Sequence, residues 1–370
     1  MYPSSQNPGY GSFVKEQVNS LVAQGIEIKI VASSENRKGF RYTLPKYFSL
    51  VINSLLAVIQ EKYDIIHAHY IFPTGIIGCL ASIIRKSKLI ITIHSSLEPH
   101  CKSYISKKSI QYSLHKASHI ITVGQSVANE LIRDFLVNPS KISLVDMGVD
   151  TDLFQPVPIK KARELLGLPK EKTILICVGN LIWRKGFHFL LSSMGNYPEV
   201  FRNILTIIIG GGPLYATLQN LVKQYHLSEQ VHFAGVMDKK KIPLWLSAAD
   251  YLVHPSLDEG FGLAIVEAMS CEKIVIASPV GGVIDFLQDG VNGYFIKPWN
   301  CGVRSEWENW LDEINVKSLA ESINYVLSIP ERQKKIVRKN ARMTAEGHDI
   351  HLQASKVKSL YSQICASPPK

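Results

Sequence analysis

The stretch Asp250-Tyr-Leu-Val-His254-Pro-Ser-Leu-Asp-Glu259-Gly-Phe-Gly-Leu-Ala-Ile-Val-Glu267 runs from a short apolar strand through a glycine turn into a helix. Gly260 and Gly262 let the backbone of that turn come close to a ligand, and the helix beginning near Leu263 offers N–H groups that attract phosphate. Glu259 sits in the loop. Glu267, about one turn into the helix, reaches the same ligand and accepts hydrogen bonds from hydroxyls. Two Glu eight residues apart are a weak pattern by themselves, and a capped surface helix explains them equally well.

Strand, turn and helix form the repeating unit of an α/β fold, and the repeat extends outward from this stretch. Short β-branched runs recur at 26–31, 64–68, 89–93, 119–123 and 142–145, and again at 173–179, 205–209, 230–233, 250–254, 274–277 and 293–296. Most are separated by helix-length segments; Val14, Val18, Leu21 and Val22, for example, place an apolar stripe on one helical face. Such alternation predicts two Rossmann-like domains with parallel sheets. The breaker-rich segment 148–158 reads as the link between them. The expected domains are 1–155 and 156–345, with a C-terminal helix in 346–370 crossing back to the first. A doubly wound sheet ordinarily opens with a strand feeding a Gly turn. Here Pro8-Gly-Tyr-Gly-Ser-Phe-Val-Lys supplies the turn and helix, but only seven polar, Pro-containing residues precede it. The expectation is a first sheet that lacks its opening strand.

Composition agrees with this class. At 370 residues, 46% hydrophobic and 19% charged, the chain has material for two cores, which excludes disorder for most of it. The longest apolar runs, 48–59 and 76–84, are shorter than the roughly 20 residues a spanning helix needs. The first residues carry neither a basic nor an apolar signal region. Six Cys (79, 101, 177, 271, 301, 365) show no C-x-x-C spacing, so neither zinc nor a disulfide framework is expected, and a reduced cytoplasmic chain is the simplest reading. The net charge of +10 is spread evenly: residues 1–155 hold 16 basic and 11 acidic side chains. This excess suits anionic substrates or surfaces without choosing among them.

The motifs, taken in order, resemble the retaining glycosyltransferases of family 4, which have the GT-B fold. Glu259 and Glu267 match that family's E-x7-E motif. The resemblance covers nearly the whole chain and includes Pro8-Gly-Tyr-Gly-Ser-Phe-Val, Asp64-Ile-Ile-His-Ala-His69, Ile93-His94 and Met147-Gly-Val-Asp150. It continues through Val178-Gly-Asn-Leu181, Lys185-Gly186, Ile209-Gly-Gly-Gly-Pro213, Val231-His-Phe-Ala-Gly-Val236 and residues 258–293.

The resemblance implies a donor site. Lys185 matches the Lys that binds the donor diphosphate, and a charge there stabilises the leaving group. The family often has Arg five residues earlier, where this chain has Asn180; Arg184 is the candidate to compensate. Glu267 matches the ribose carboxylate. Glu259, with the backbone of Phe261, Gly262 and Leu263, matches the group around the donor sugar and its phosphates. Gly235 and Val236 resemble the segment whose backbone meets the base. From the first domain, Gly9 and Gly11 resemble a turn approaching the diphosphate, and His94 matches a His near the transferred sugar. Ser95-Ser-Leu-Glu98 follows that His where the family has Gly and an acidic residue. No metal or cofactor is implied, the nucleotide-sugar being a substrate.

Other features read as structural. His67 and His69, two apart on a strand, favour packing. Asp150-Thr-Asp152 has a D-x-D form but lies in the link, where Asp side chains cap backbone N–H groups. Lys239-Lys-Lys241 and the basic run 332–342 read as solvated faces. Lys102, Lys107 and Lys108, interleaved with Tyr104 and Ile105, suggest peripheral contact with an anionic membrane. The Trp-rich stretch 299–310 has no functional account.

The expected function is metal-independent, retaining transfer of a sugar, in the manner of a hexosyltransferase, from a nucleotide-sugar to a saccharide or lipid-linked acceptor. Surface polysaccharide or glycolipid assembly is the expected setting, with no role in nucleic-acid binding. Two rivals stay open. A non-catalytic nucleotide-sugar-binding protein is favoured by the missing strand and Asn180. A sugar-nucleotide epimerase or hydrolase on the same fold is opposed by the paired Glu and Lys185-Gly186.

Overall fold

The computed structural model describes residues 2–3, 11–33, 40–97, 101, 103–301 and 312–366. The chain divides into two compact units, Met1–Gly148 with Ile350–Lys370, and Val149–Asp349. Each is a Rossmann-like α/β unit.

Unit 1 holds a parallel sheet of β1 (Ile65–His69), β2 (Lys88–Ile93), β3 (His119–Thr122) and β4 (Ile142–Leu144), in that spatial order. The middle strands are continuous apolar runs because both faces are covered. Alternate residues serve opposite layers. Leu89, Ile91, Ile93 and Ile120 meet Ile110, Leu114 and Leu131 on one side. Ile90 and Ile121 meet Leu21, Val357 and Leu360 on the other. Leu21 belongs to the Ser12–Ala23 helix, and Val357 and Leu360 to the Ile350–Ala366 helix.

The first described element of this unit is therefore a helix, Ser12–Ala23, and β1 is an edge of the sheet among the described residues. Run 26–31 corrects the sequence reading, for it forms no strand. Ile26 and Ile28 do pack on the core shared with Leu21, so the alternation of apolar and charged residues is real. A strand, however, is defined by its ladder, and no described strand lies between this run and β1 to pair with it. The stripe on the Ser12–Ala23 helix also differs in phase from the expected one. Val14, Gln17, Ser20 and Leu21 are buried, whereas Val22 faces outward. Ser20 tolerates burial because its Oγ lies 3.1 Å from His351 Nδ1.

Unit 2 holds six parallel strands: β5 (Thr173–Val178), β6 (Ile204–Ile209), β7 (Val231–Gly235), β8 (Tyr251–His254), β9 (Ile274–Ala277) and β10 (Tyr294–Phe295). Their order is β10-β9-β8-β5-β6-β7. The direction of winding reverses between β5 and β8, and such a switch point is where open α/β sheets bind ligands, outside the carboxyl ends of the strands.

The polypeptide passes between units at residues 148/149 and 349/350. Within unit 2, Val149 and Asp349 form a parallel bridge, and Thr151 Oγ1 donates to Asp349 Oδ2 at 2.6 Å. Asp150 Oδ1 accepts the Leu153 N–H at 2.8 Å, the capping turn expected of the D-x-D segment. None of the six cysteines is in a disulfide.

Candidate active site

Two loops leave the sheet of unit 2 side by side at the switch point. One follows β5 and turns through the 3-10 segment Trp183–Lys185; the other follows β8 and carries Glu259. They are joined by the backbone, Leu257 N donating to Arg184 O at 2.7 Å. Their side chains then meet. Lys185 Nζ donates to Glu259 Oε1 in a mostly buried ion pair. The same oxygen accepts from His254 Nε2 at 2.5 Å and from Ser256 Oγ at 2.8 Å.

Three donors on one carboxylate oxygen define its charge. Burial by itself disfavours the ionised form, but the Lys185 ammonium, followed by His254, outweighs it and holds the Glu259 carboxyl well below the usual range. A carboxylate can only accept, so His254 carries its proton on Nε2. Burial lowers the pKa of the imidazole against the pull of Glu259, so the ring is neutral and Nδ1 is a buried acceptor without a partner.

The Glu259 loop is pressed into shape by its neighbour. A Cβ on Gly281, whose φ is +51°, would lie 1.7 Å from the Glu259 carbonyl oxygen, and one on Gly282 would lie 2.3 Å from that of Gly260. Gly282 N donates to Glu259 O at 3.2 Å. The loop then enters the Leu263–Ser270 helix through Gly262, whose φ of +100° suits glycine and which has no side chain to cap the first turn. Phe261 is buried, its ring against Phe286 and His348 at centroid distances of 5.2 and 5.4 Å. Only its backbone is therefore available to a ligand.

Glu267 is buried on the same helix, and its Oε1 lies 3.0 Å from Lys239 Nζ. Lys239 thus departs from the solvated face expected of Lys239-Lys-Lys241. Gly235 ends β7 and Val236 follows with 71% of its surface exposed, an open shelf beside Gly211. Gly211 itself is engaged structurally, its carbonyl accepting the Leu181 N–H at 2.9 Å. Arg184 forms an exposed pair with Asp258 at 2.8 Å, and Asn180 is exposed.

The remaining sequence candidates belong to unit 1. Gly9 lies outside the described residues. Gly11 precedes the Ser12–Ala23 helix in the left-handed region, φ 73°. His94, at the end of β2, stacks on His69 at 5.3 Å, with His94 Nε2 and His69 Nδ1 3.1 Å apart. Phe13 and Tyr70 also face its ring, at 5.0 and 4.8 Å. Burial lowers the pKa of His94 well below its ordinary value, and that of His69 to about 4, so both are neutral. His67 is held between Tyr361 Oη and Thr92 Oγ1, each at 2.6 Å, which fits the packing role expected of it. Among the described residues no group of three His, Cys, Asp or Glu side chains is arranged to hold a metal.

The structure groups Lys185 and Glu259 with His254 and Ser256, and Glu267 with Lys239; the sequence candidates include Lys185, Glu259 and Glu267, but not His254 or Ser256, and the sequence reading takes Lys239 as solvated. His254-Pro-Ser256 at the carboxyl end of a central strand, three residues before Glu259, is the signal that was available.

Residues 158–343 match the family described as Glycosyl transferases group 1, and residues 9–153 match Glycosyltransferase Family 4. The D-inositol 3-phosphate glycosyltransferase of Mycobacterium leprae is 27% identical over 316 residues, 79% of this chain and 71% of that one. Sucrose-phosphate synthase from Thermosynechococcus elongatus has a similar structure, with a TM-score of 0.81, 22% identity and coverage of 99% and 96% of the two chains. Anabaena HepE in complex with UDP and glucose aligns with a TM-score of 0.74 at 22% identity, covering 93% and 88%. At these identities the structural likeness speaks for the fold. With family matches running through both units, the chain belongs to the group 1 glycosyltransferases of GT-B fold.

Proposed function

We propose that the chain transfers a sugar from a nucleotide-sugar to an acceptor hydroxyl with retention of configuration and without a metal ion. The observation that carries this reading is the Lys185–Glu259 pair at the switch point, beside the uncapped start of the Leu263–Ser270 helix. As the bond between the sugar carbon and the diphosphate breaks, charge grows on the leaving oxygens; Lys185 and the helix N–H groups are placed to meet it. The acceptor oxygen bonds to the same face of the sugar carbon, and its proton passes to a phosphate oxygen. Glu259 faces the donor sugar, Glu267 the ribose, the Gly235-Val236 backbone the base, and Arg184 the outer phosphate in place of Asn180.

The acceptor we propose is a saccharide or lipid-linked molecule of surface polysaccharide or glycolipid assembly, met in the cytoplasm at the inner face of the membrane. No helix among the described residues is long and apolar enough to cross a membrane. Peripheral contact is supported by the Tyr104–Lys116 helix. Its Tyr104 and Ile105 are among the most exposed apolar side chains, and Lys108 and Lys116 lie over the rings of Tyr104 and Tyr112 at 5.7 and 5.9 Å.

The test is to incubate the purified chain with labelled nucleotide-sugars, with and without an acceptor panel, in EDTA, and to read the anomeric configuration of the product by NMR. Transfer with retention in EDTA is expected. An inverted product, or activity restored only by magnesium or manganese, overturns the mechanism. Donor hydrolysis alone favours a hydrolase, and binding without turnover a non-catalytic protein.

A further inference from the structure

We infer that Lys239 is a positioning residue that ties the loop after β7 to Glu267, so that the base-facing backbone and the ribose-facing carboxylate form one nucleoside half-site. The inference rests on the proposed reading of Glu267 as the ribose carboxylate.

Three consecutive lysines occupy the 3-10 turn Lys239–Lys241, yet they are not equivalent. Lys240 and Lys241 are exposed, whereas Lys239 is partly buried, with 22% of its side chain accessible. Asp238 fixes the turn by accepting the Lys240 N–H at 2.8 Å, and this directs Lys239 inward. Its ammonium lies 3.0 Å from Glu267 Oε1 and 5.4 Å from the centroid of the Phe154 ring. That ring is a fixed platform. Phe154 is fully buried, and its carbonyl accepts from Ser270 Oγ at 2.7 Å and Arg342 Nη1 at 3.0 Å.

Ordering a lysine stem opposes pairing, because four rotors are lost. A carboxylate on one side and an aromatic face on the other offset that loss. A pair of this kind is a poor source of stability, since desolvation cancels much of the attraction. Its effect here is orientational. With Oε1 held by Lys239, the position of the Glu267 carboxylate is restrained, and so is the path of the chain only three residues after Val236. Base and ribose are covalently adjacent in any nucleoside, so a tether between their two binding elements makes recognition of one depend on the placement of the other.

The test measures binding of a ribonucleoside diphosphate and of its 2′,3′-dideoxy analogue by calorimetry. The nucleotide is whichever of uridine, guanosine and adenosine diphosphate the wild-type chain binds most tightly. Lys239→Met is expected to weaken the ribonucleotide about tenfold, near 1.4 kcal/mol, and the dideoxy analogue, which keeps only the base contact, by much less, so that hydroxyl discrimination shrinks. Lys239→Arg restores most of it, and Lys240→Met changes neither affinity. Equal weakening of both ligands by Lys239→Met, or no weakening, overturns the inference. If Glu267→Gln leaves discrimination intact, or none of the three nucleotides binds, the donor-site reading fails first. If Glu267→Gln abolishes discrimination and Lys239→Met leaves it intact, the role of Lys239 alone is refuted.

Discussion

At Glu259 a single oxygen accepts from Lys185, His254 and Ser256, so the carboxylate stays charged in a buried place, its donors held at the end of β8 and in the loops that follow β5 and β8. Lys185 balances Glu259, and in the proposed mechanism it also meets the departing diphosphate. Lys185→Ala is therefore expected to lower turnover more than donor affinity, since phosphate charge grows towards the transition state. Steady-state kcat set beside a calorimetric Kd checks this, and a weakened Kd with kcat unchanged would mean that Lys185 binds ground state and transition state alike. The charge on Glu259 also links stability to pH. Its folded pKa lies below the ordinary 4.5, so the unfolded chain binds the extra proton between the two values. The stabilisation is fully present above 4.5 and is lost as pH falls through that window. The melting-temperature gap between wild type and Glu259→Gln is expected to stay constant from about pH 7 to 5 and to shrink below about pH 4. Glu259 was legible in sequence because a carboxylate beside glycines after a strand stands out, and Lys185 only through the family resemblance. His254 was not, since a histidine in an apolar run reads as core until its partner is placed.

Strands of unit 2 were legible because burial on both faces makes them continuous apolar runs, and all six recur as β5 to β10. Run 26–31 has the right alternation, yet pairing belongs to neighbours in space and leaves no trace within the run itself. The Lys239–Lys241 turn was misread for a similar reason, since three like charges look solvated until one of them turns inward. Arg163, on the Ile159–Leu166 helix, carried no sequence signal at all. It is buried, and donates to the carbonyls of Ala248 at 3.0 Å, Lys170 at 2.8 Å and Lys172 at 3.0 Å, and to Asp250 Oδ2 at 2.7 Å. Asp250 in turn accepts the Ile174 N–H at 2.7 Å, joining the helix to β5 and to the start of β8. Arg163→Met strands a carboxylate and several carbonyls together, a loss of about 3–5 kcal/mol. Thermal denaturation is expected to show unit 2 melting about 6 °C lower or more. Arg133, in an exposed pair with Asp134 at 2.7 Å, is the control, and Arg133→Met leaves the midpoint unchanged.

The chain as a whole is two units, of which one is continuous in sequence and the other is closed by its last helix. The Ile350–Ala366 helix belongs to unit 1, separated from the rest of it by residues 149–349, and its attachment is specific. Gln24 Nε2 donates to His351 O at 2.9 Å, Lys358 Nζ donates to Gln24 O at 2.7 Å, and Tyr361 Oη meets His67. Ala354, Val357, Leu360 and Ile364 complete the core layer over Ile90 and Ile121. At about 1.5–3 kcal/mol for each of the three large side chains, that layer contributes about 5–9 kcal/mol. This is comparable with the roughly 5–15 kcal/mol that holds a whole domain together. Deleting residues 350–370 is therefore expected to remove the unfolding transition of unit 1, or to lower it steeply, while the transition of unit 2 stays in place. Differential scanning calorimetry resolves the two, and added nucleoside diphosphate identifies the unit 2 peak by raising its midpoint. A deletion variant that keeps both transitions would show that the Ser12–Ala23 helix and the sheet close their own core, leaving the last helix a surface strap.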